Sequence, residues 1–285
     1  MKIFVTYSTP SYFRARNFAG KMAKWFGRFD KVFLYSPEDI DDEFKRKHAD
    51  ILDIKKGAGL WLWKPYSVYK ALTEEAKEGD YVFYCDAASF FIRNCDYIIN
   101  TMDESDIWVS DNSFIEEQYT KADVFQILDC NTDVFKKSNQ IQAQFICLRK
   151  SEKSTSFVKE WLDLASDYDL IGPENTKYNL KNPVNFVAHR YDQSILSILT
   201  KKKGILPHIT PLEIGYPSKY KPLLYRNGEA ILKGEYPCCI VLQHSATIDV
   251  TKSIKTTLKA WLPKSFRMFL LLIKYTIKGC KNRIK

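Results

Sequence analysis

The chain has 285 residues, 45% of them hydrophobic and 27% charged, which is the composition of an ordinary soluble globular protein with room for one main domain and an appendage. The net charge of +9 is concentrated: residues 251–285 hold ten Lys and Arg and no Asp or Glu, leaving 33 basic against 34 acidic groups in the rest. A nearly neutral body with no basic stripe of its own argues against a nucleic-acid partner. Seven cysteines at 85, 95, 130, 147, 238, 239 and 280 show neither CxxC nor Cys/His zinc spacing, so they read as reduced, mostly buried thiols. Residues 1–7, MKIFVTY, carry one Lys and a short apolar run that reads as a first strand rather than a signal peptide, and the chain is expected to stay in the cytosol.

In chain order, strands are expected at 2–7 and 31–35 with a helix at 11–26 between them. Pro65 suits the start of a helix running to about 77. Strands at 81–85 and 107–110 flank a helical stretch near 95–102. A helix at 120–128, a strand at 144–148 and a helix at 154–165, with Phe157, Trp161 and Leu164 on one face, come next. Residues 172–183, rich in Asn, Lys and Pro, read as a long loop of the kind that forms lids or binding edges. A helix at 191–201 and strands at 205–209 and 239–243 complete the body. This alternation predicts an α/β fold, a mostly parallel sheet with helices on both faces.

Chemistry is expected where strands end. The apolar run 81–85 stops at Asp86, followed by Ala87, Ala88 and Ser89, small residues that let a ligand approach. Trp61, Trp63, Lys64 and Pro65 form an aromatic, cationic turn ahead of it, suited to a base or sugar ring beside a phosphate, or simply to core packing. His189, Arg190, Asp192 and Gln193 stand at the start of an apolar helix, where Asp192 is either a carboxylate favoured by the helix dipole or a site residue. His244 follows its strand as Asp86 follows its own, either as a hydrogen-bonded structural residue or as a partner of Asp86 for a divalent cation on a diphosphate. Lys121 and Asp123 face a sugar or phosphate, or solvent.

The tail divides at Pro263. Ile254, Leu258 and Trp261 recur at helical spacing before it, and Ser265 is placed to cap a second helix. There Arg267, Lys274, Lys278, Lys281 and Lys285 fall on one stripe, with Met268, Phe269, Leu272, Ile273 and Thr276 opposite. Such an amphipathic tail suits an anionic membrane surface, whereas the apolar run 268–273 is far too short to span. The expected division is therefore 1–250 as the main domain and 251–285 as a membrane-association tail.

Five segments, GLWLWKPY, VFYCDAAS, EEQYTKADVF, IQAQFICLRKSEKSTSFVKEWL and HRYDQSILS, together resemble bacterial glycosyltransferases of capsule and O-antigen gene clusters over most of residues 1–250. The resemblance implies a GT-A-like, Rossmann-type fold and transfer of a sugar from a nucleotide-diphosphate sugar to a lipid-linked glycan at the inner face of the membrane. It also implies Mn²⁺ or Mg²⁺ on an Asp-x-Asp motif, of which Asp86-Ala87-Ala88 keeps only the first carboxylate, leaving Asp86 alone or with His244 as ligands. Asp192-Gln193 is similar to the acidic motif beside the reacting sugar. In those terms Asp192 is the candidate general base of an inverting reaction, Lys64 and Lys121 candidates for the leaving diphosphate, and Trp61 or Trp63 the neighbour of base or sugar. His189 and Gln193 are placed with the substrate. A non-catalytic, membrane-peripheral protein that binds a nucleotide or glycan is the alternative.

Overall fold

Alternation of side chains along two central strands decides how the larger part of the chain is layered. In β1 (Lys2–Tyr7) and β3 (Tyr81–Cys85) nearly every residue is apolar and buried, so both sheet faces need cover. Ile3, Val5, Tyr7, Val82 and Tyr84 point to one face and join the principal core. Phe4 and Phe83 point to the other and meet Phe29 and Phe91 in an aromatic cluster with ring centroids 5.0–6.1 Å apart.

The computed structural model describes residues 1–212, 225–226, 229–230, 236–242 and 250–261. The sheet order is β2-β1-β3-β6-β5, with β2 at Lys31–Tyr35, β5 at Ile107–Ile115 and β6 at Asn139–Arg149. β1 pairs in parallel with β2 and β3, while β6 runs antiparallel to both β3 and β5. Four strands thus share a direction and β6 opposes them, giving a mixed sheet. A short ladder pairs β4 (Ser89–Phe91) with β9 (Ile240–Leu242), and β7 and β8 (Tyr225–Arg226 and Glu229–Ala230) pair with each other.

Helix α1 (Phe13–Met22) packs on β1, β2 and β4. Helix α2 (Trp63–Lys70) packs on β1; the short α3 (Ala122–Ile127) precedes α4 (Glu152–Ala165), and α5 (Asp192–Lys202) lies on β6, with Val68, Trp161, Ile195 and Leu196 wholly or almost wholly removed from solvent. The α/β class with helices on both faces is as expected. Residues 205–209 are not a strand: they contribute one isolated bridge, Ser110 to His208, because Pro207 offers no N–H to a ladder. The chain divides into two compact units, Met1–Thr247 and Ile248–Lys285. In the second, α6 (Val250–Trp261) presents Ile254, Leu258 and Trp261, each more than half exposed, at positions that share one helical stripe. His244 and the tail beyond 261 lie outside the described residues.

Candidate active site

The strand order turns at β1: β2 lies on one side of it and β3 on the other. The crevice outside the carboxyl ends of β1 and β3 is therefore a topological switch point, where open α/β sheets place their ligands. Asp86 stands there, one residue past β3, its N–H bonded to Gln144 O at 2.9 Å and its carbonyl accepting from Ser89 N at 2.9 Å in the turn into β4. The buried hydroxyls of Thr6, on β1, and Ser8, just past its end, have no hydrogen-bond partner in the protein. Buried polar atoms are normally satisfied, so unmatched hydroxyls at a switch point are consistent with a ligand's hydrogen bonds.

The centre of the crevice is a three-charge cluster. Lys64, from the first turn of α2, puts Nζ 3.2 Å from Asp86 Oδ1 and 3.4 Å from Asp192 Oδ2. Tyr84, two residues before Asp86, donates its hydroxyl to Asp86 Oδ1 at 2.8 Å. Lys64 is 4% exposed and Asp192 3%, whereas the Asp86 side chain keeps 28% and forms the open side of the cluster. Burial alone would lower the Lys64 pKa, but the charges of Asp192 and Asp86 more than offset it and the ammonium is held protonated. Asp192 moves the other way: burial, with Asp86 adding to it, pushes its pKa up to about 7 against the pull of Lys64. Apart from the ion pair with Lys64, Asp192 Oδ2 accepts no hydrogen bond. A buried carboxyl poised near neutrality is suited to proton transfer.

Unusual backbone brings these groups together. Five consecutive residues, Gly57 to Trp61, have φ between 50° and 95°, a left-handed turn closed by Leu60 N to Lys56 O at 2.9 Å and Trp61 N to Gly57 O at 3.3 Å. Ala58, Leu60 and Trp61 each cost about 1–2 kcal/mol in that region. Glycine is required at both its places: a Cβ on Gly57 would lie 2.3 Å from the Trp61 ring, and one on Gly59 2.8 Å from Leu52 Cα. The turn delivers the chain into α2 with Lys64 facing inward. At the other wall Tyr191 has φ 53° and ψ −124°, a conformation L-residues rarely adopt, immediately before Asp192. The start of α5 is fastened from below by Trp161 Nε1 to Asp192 O at 3.0 Å, Ile141 N to Ser197 Oγ at 2.9 Å and Ser194 Oγ to Tyr119 O at 2.7 Å.

The remaining candidates fall around this cluster in different roles. Trp61 is half-buried at its rim and contacts Tyr191. Trp63 is in the core, stacked on Tyr7 at 4.2 Å with its indole N–H bonded to Gly57 O at 2.9 Å. Gln193 uses both amide atoms on β6, accepting from Ala143 N and donating to Gln140 Oε1. His189 is buried between Lys121 N and Leu170 O, its pKa lowered to about 3 by burial and the Lys121 charge, so it is neutral.

Lys121 and Asp123 hold the 172–187 loop. Lys121 is fully buried, its pKa lowered to about 8 by burial, and donates to Glu174 O at 2.6 Å. Asp123 accepts from Tyr178 N at 2.8 Å and Leu180 N at 3.0 Å; burial opposes its ionisation, but these N–H groups hold its pKa below the usual range. Asp123→Ala is therefore expected to cost about 2 kcal/mol through the orphaned N–H groups and to expose Lys177 and Lys181 to trypsin. Unchanged cleavage kinetics would show that the clasp does not hold the loop.

A divalent cation finds few ligands here. Among the described residues no group of three His, Cys, Asp or Glu could hold a metal, and Oδ1 of Asp86 is already taken by Lys64 and Tyr84. That leaves Asp86 Oδ2 as the one side-chain oxygen of the Asp86-Ala87-Ala88 segment outside those contacts, and His244, the other candidate ligand, lies outside the described residues.

No family model matches the chain, and no curated protein matches it in sequence. Among solved structures it is similar to the galactosyltransferase LgtC in complex with donor and acceptor sugar analogs, at 14% identity, 94% of this chain, 99% of that one and a TM-score of 0.48. It is similar also to mouse xyloside xylosyltransferase 1, at 10% identity, 87% and 99% coverage and a TM-score of 0.44. A third is a glycosyltransferase involved in the glycosylation of the major capsid of PBCV-1, at 10% identity, 90% and 98% coverage and a TM-score of 0.40. At this level of likeness any assignment of function rests on the crevice itself.

Proposed function

We propose that this chain is a glycosyltransferase that moves a sugar from a nucleotide-diphosphate donor to a lipid-linked glycan in surface polysaccharide synthesis, capsule or O-antigen. The observation that carries the reading is the Asp86–Lys64–Asp192 cluster at the switch point of the sheet, with unmatched hydroxyls at the neighbouring strand end. The nucleotide occupies the end of β1, and the reacting sugar lies over Asp86. In an inverting displacement the acceptor oxygen bonds to the anomeric carbon while the bond from that carbon to the distal phosphate oxygen breaks, its electron pair staying on the phosphate. The acceptor proton goes to Asp192, whose pKa near 7 matches that task. Lys64, paired with Asp86 and Asp192, holds the two carboxylates at a fixed separation. A thermal-shift screen of UDP-, GDP- and dTDP-sugars, with and without Mn²⁺, tests the reading: binding of one of them raises the melting temperature, and a flat screen in both conditions contradicts it.

The tail supports a site of action at the membrane face. Exposed Ile254, Leu258 and Trp261 on α6 give an apolar stripe, and the surplus cations of 251–285 give attraction to an anionic leaflet of about 1 kcal/mol per Lys or Arg. Among the described residues no helix is long and apolar enough to cross a membrane, so contact at the inner face is peripheral in this proposal. Deleting 251–285 is expected to leave a folded protein that no longer co-sediments with anionic vesicles. Equal sedimentation of the truncated form would refute the anchor.

A further inference from the structure

Two aromatic residues close in sequence to members of the charge cluster have backbone conformations that aromatic residues avoid. Trp61 has φ 65° and Tyr191 φ 53° with ψ −124°, yet their rings meet, with centroids 5.0 Å apart and planes at 37°. Both are half-buried and stand on the rim of the principal core rather than inside it. Glycine would fit either conformation without strain, and packing alone does not call for two strained aromatics in contact. Strain held at two points that converge on one place points to function there. Each residue is tied to the chemistry through the chain: Tyr191 precedes Asp192, and Trp61 lies three residues before Lys64, whose N–H bonds to Trp61 O at 2.9 Å.

We propose that Trp61 and Tyr191 form a platform on which a pyranose ring lays its C–H face. A hexose has one such apolar face, which matches a half-buried aromatic pair. The platform rests on the glycosyltransferase reading and adds the surface that orients the sugar. Donor and acceptor both carry a pyranose, and the two sources separate by experiment.

The test compares wild type with Trp61→Gly, Tyr191→Gly and Tyr191→Phe. Calorimetric affinities are measured for UDP, GDP and their glucose, galactose and mannose conjugates, and rates are saturated with methyl hexosides and lactose as acceptors. The glycine variants are expected to keep free-nucleotide affinity within about twofold and to lose about tenfold on the sugar, with an unchanged or higher melting temperature, whereas a tenfold loss in Tyr191→Phe as well would put the contact on the hydroxyl and overturn the ring platform. A tenfold loss on the nucleotide-sugar increment assigns the platform to the donor ring, and one on the acceptor KM assigns it to the acceptor. Glycine variants with both sugar responses intact overturn the platform while leaving the glycosyltransferase reading standing. So does a uniform loss of nucleotide affinity and melting temperature, which marks the rings as packing. Wild-type protein that binds none of the nucleotides removes the functional reading and the platform with it.

Discussion

Replacing Lys64 by Met is expected to lower folding stability by about 3–5 kcal/mol and to abolish transfer, because it leaves buried Asp192 and half-buried Asp86 without their shared cation. Asp192 is 3% exposed and Asp86 only partly open, so neither can recover its hydration by moving slightly. Asp192 must instead protonate, which removes the base. Chemical denaturation at neutral pH measures the loss, and the companion Lys64→Met/Asp192→Leu separates its causes. An apolar replacement of a buried ion pair is commonly close to neutral in stability. The double variant should therefore regain much of the stability and none of the activity. A single variant that is stable and active would show that the ammonium is not what holds the cluster.

Asp192→Asn should reduce kcat by about 10² or more with little change in donor affinity, since an amide preserves shape and cannot take a proton at neutral pH. In the wild type the base works only when ionised, so kcat is expected to rise with pH and level off above about 7, the value to which burial and Asp86 push this group. The same shift has a stability signature of definite sign. The folded state binds the Asp192 proton more tightly than the unfolded chain, whose pKa is near 3.8. The favourable contribution is thus complete below about pH 4 and is lost as pH rises through about 7. The Asn variant lacks that slope. A pH–rate profile with no ascending limb near 7, or an Asn variant of normal kcat that binds donor poorly, removes Asp192 from the base role.

Much of the frame was legible because its physics is local. The apolar runs of β1, β2 and β3 announce buried strands, and Asp86 after five apolar residues announces a strand-end carboxylate. The full extent of β6 was not, because Gln140 and Gln142 interrupt its apolar pattern; they are buried there as hydrogen-bonding groups, Gln140 to Ser194 and Gln142 to Ser110. Lys64 was visible as a cation in an aromatic turn, but its position between Asp86 and Asp192 depends on three segments more than twenty residues apart in sequence. Lys121, Asp123 and His189 have the residue types of a binding site and here clasp a loop and each other, a distinction carried by burial and partners rather than by spacing. Tyr84 and Tyr191 drew no notice. The signal for Tyr84 was present in the alternation that puts it on the same side as a residue two later; for Tyr191 it is a backbone angle that sequence does not announce.

The most direct measurement is release of nucleoside diphosphate from the nucleotide sugar that the thermal-shift screen selects, followed for wild type, Asp86→Ala and Asp192→Asn with circular dichroism melts alongside. Wild type should release the diphosphate slowly with water and faster with a glycan acceptor. Asp192→Asn should bind the donor yet release about 10²-fold more slowly, and Asp86→Ala should remain folded and inactive. Folded Asp86→Ala and Asp192→Asn proteins that turn over like wild type would place the chemistry somewhere other than this crevice.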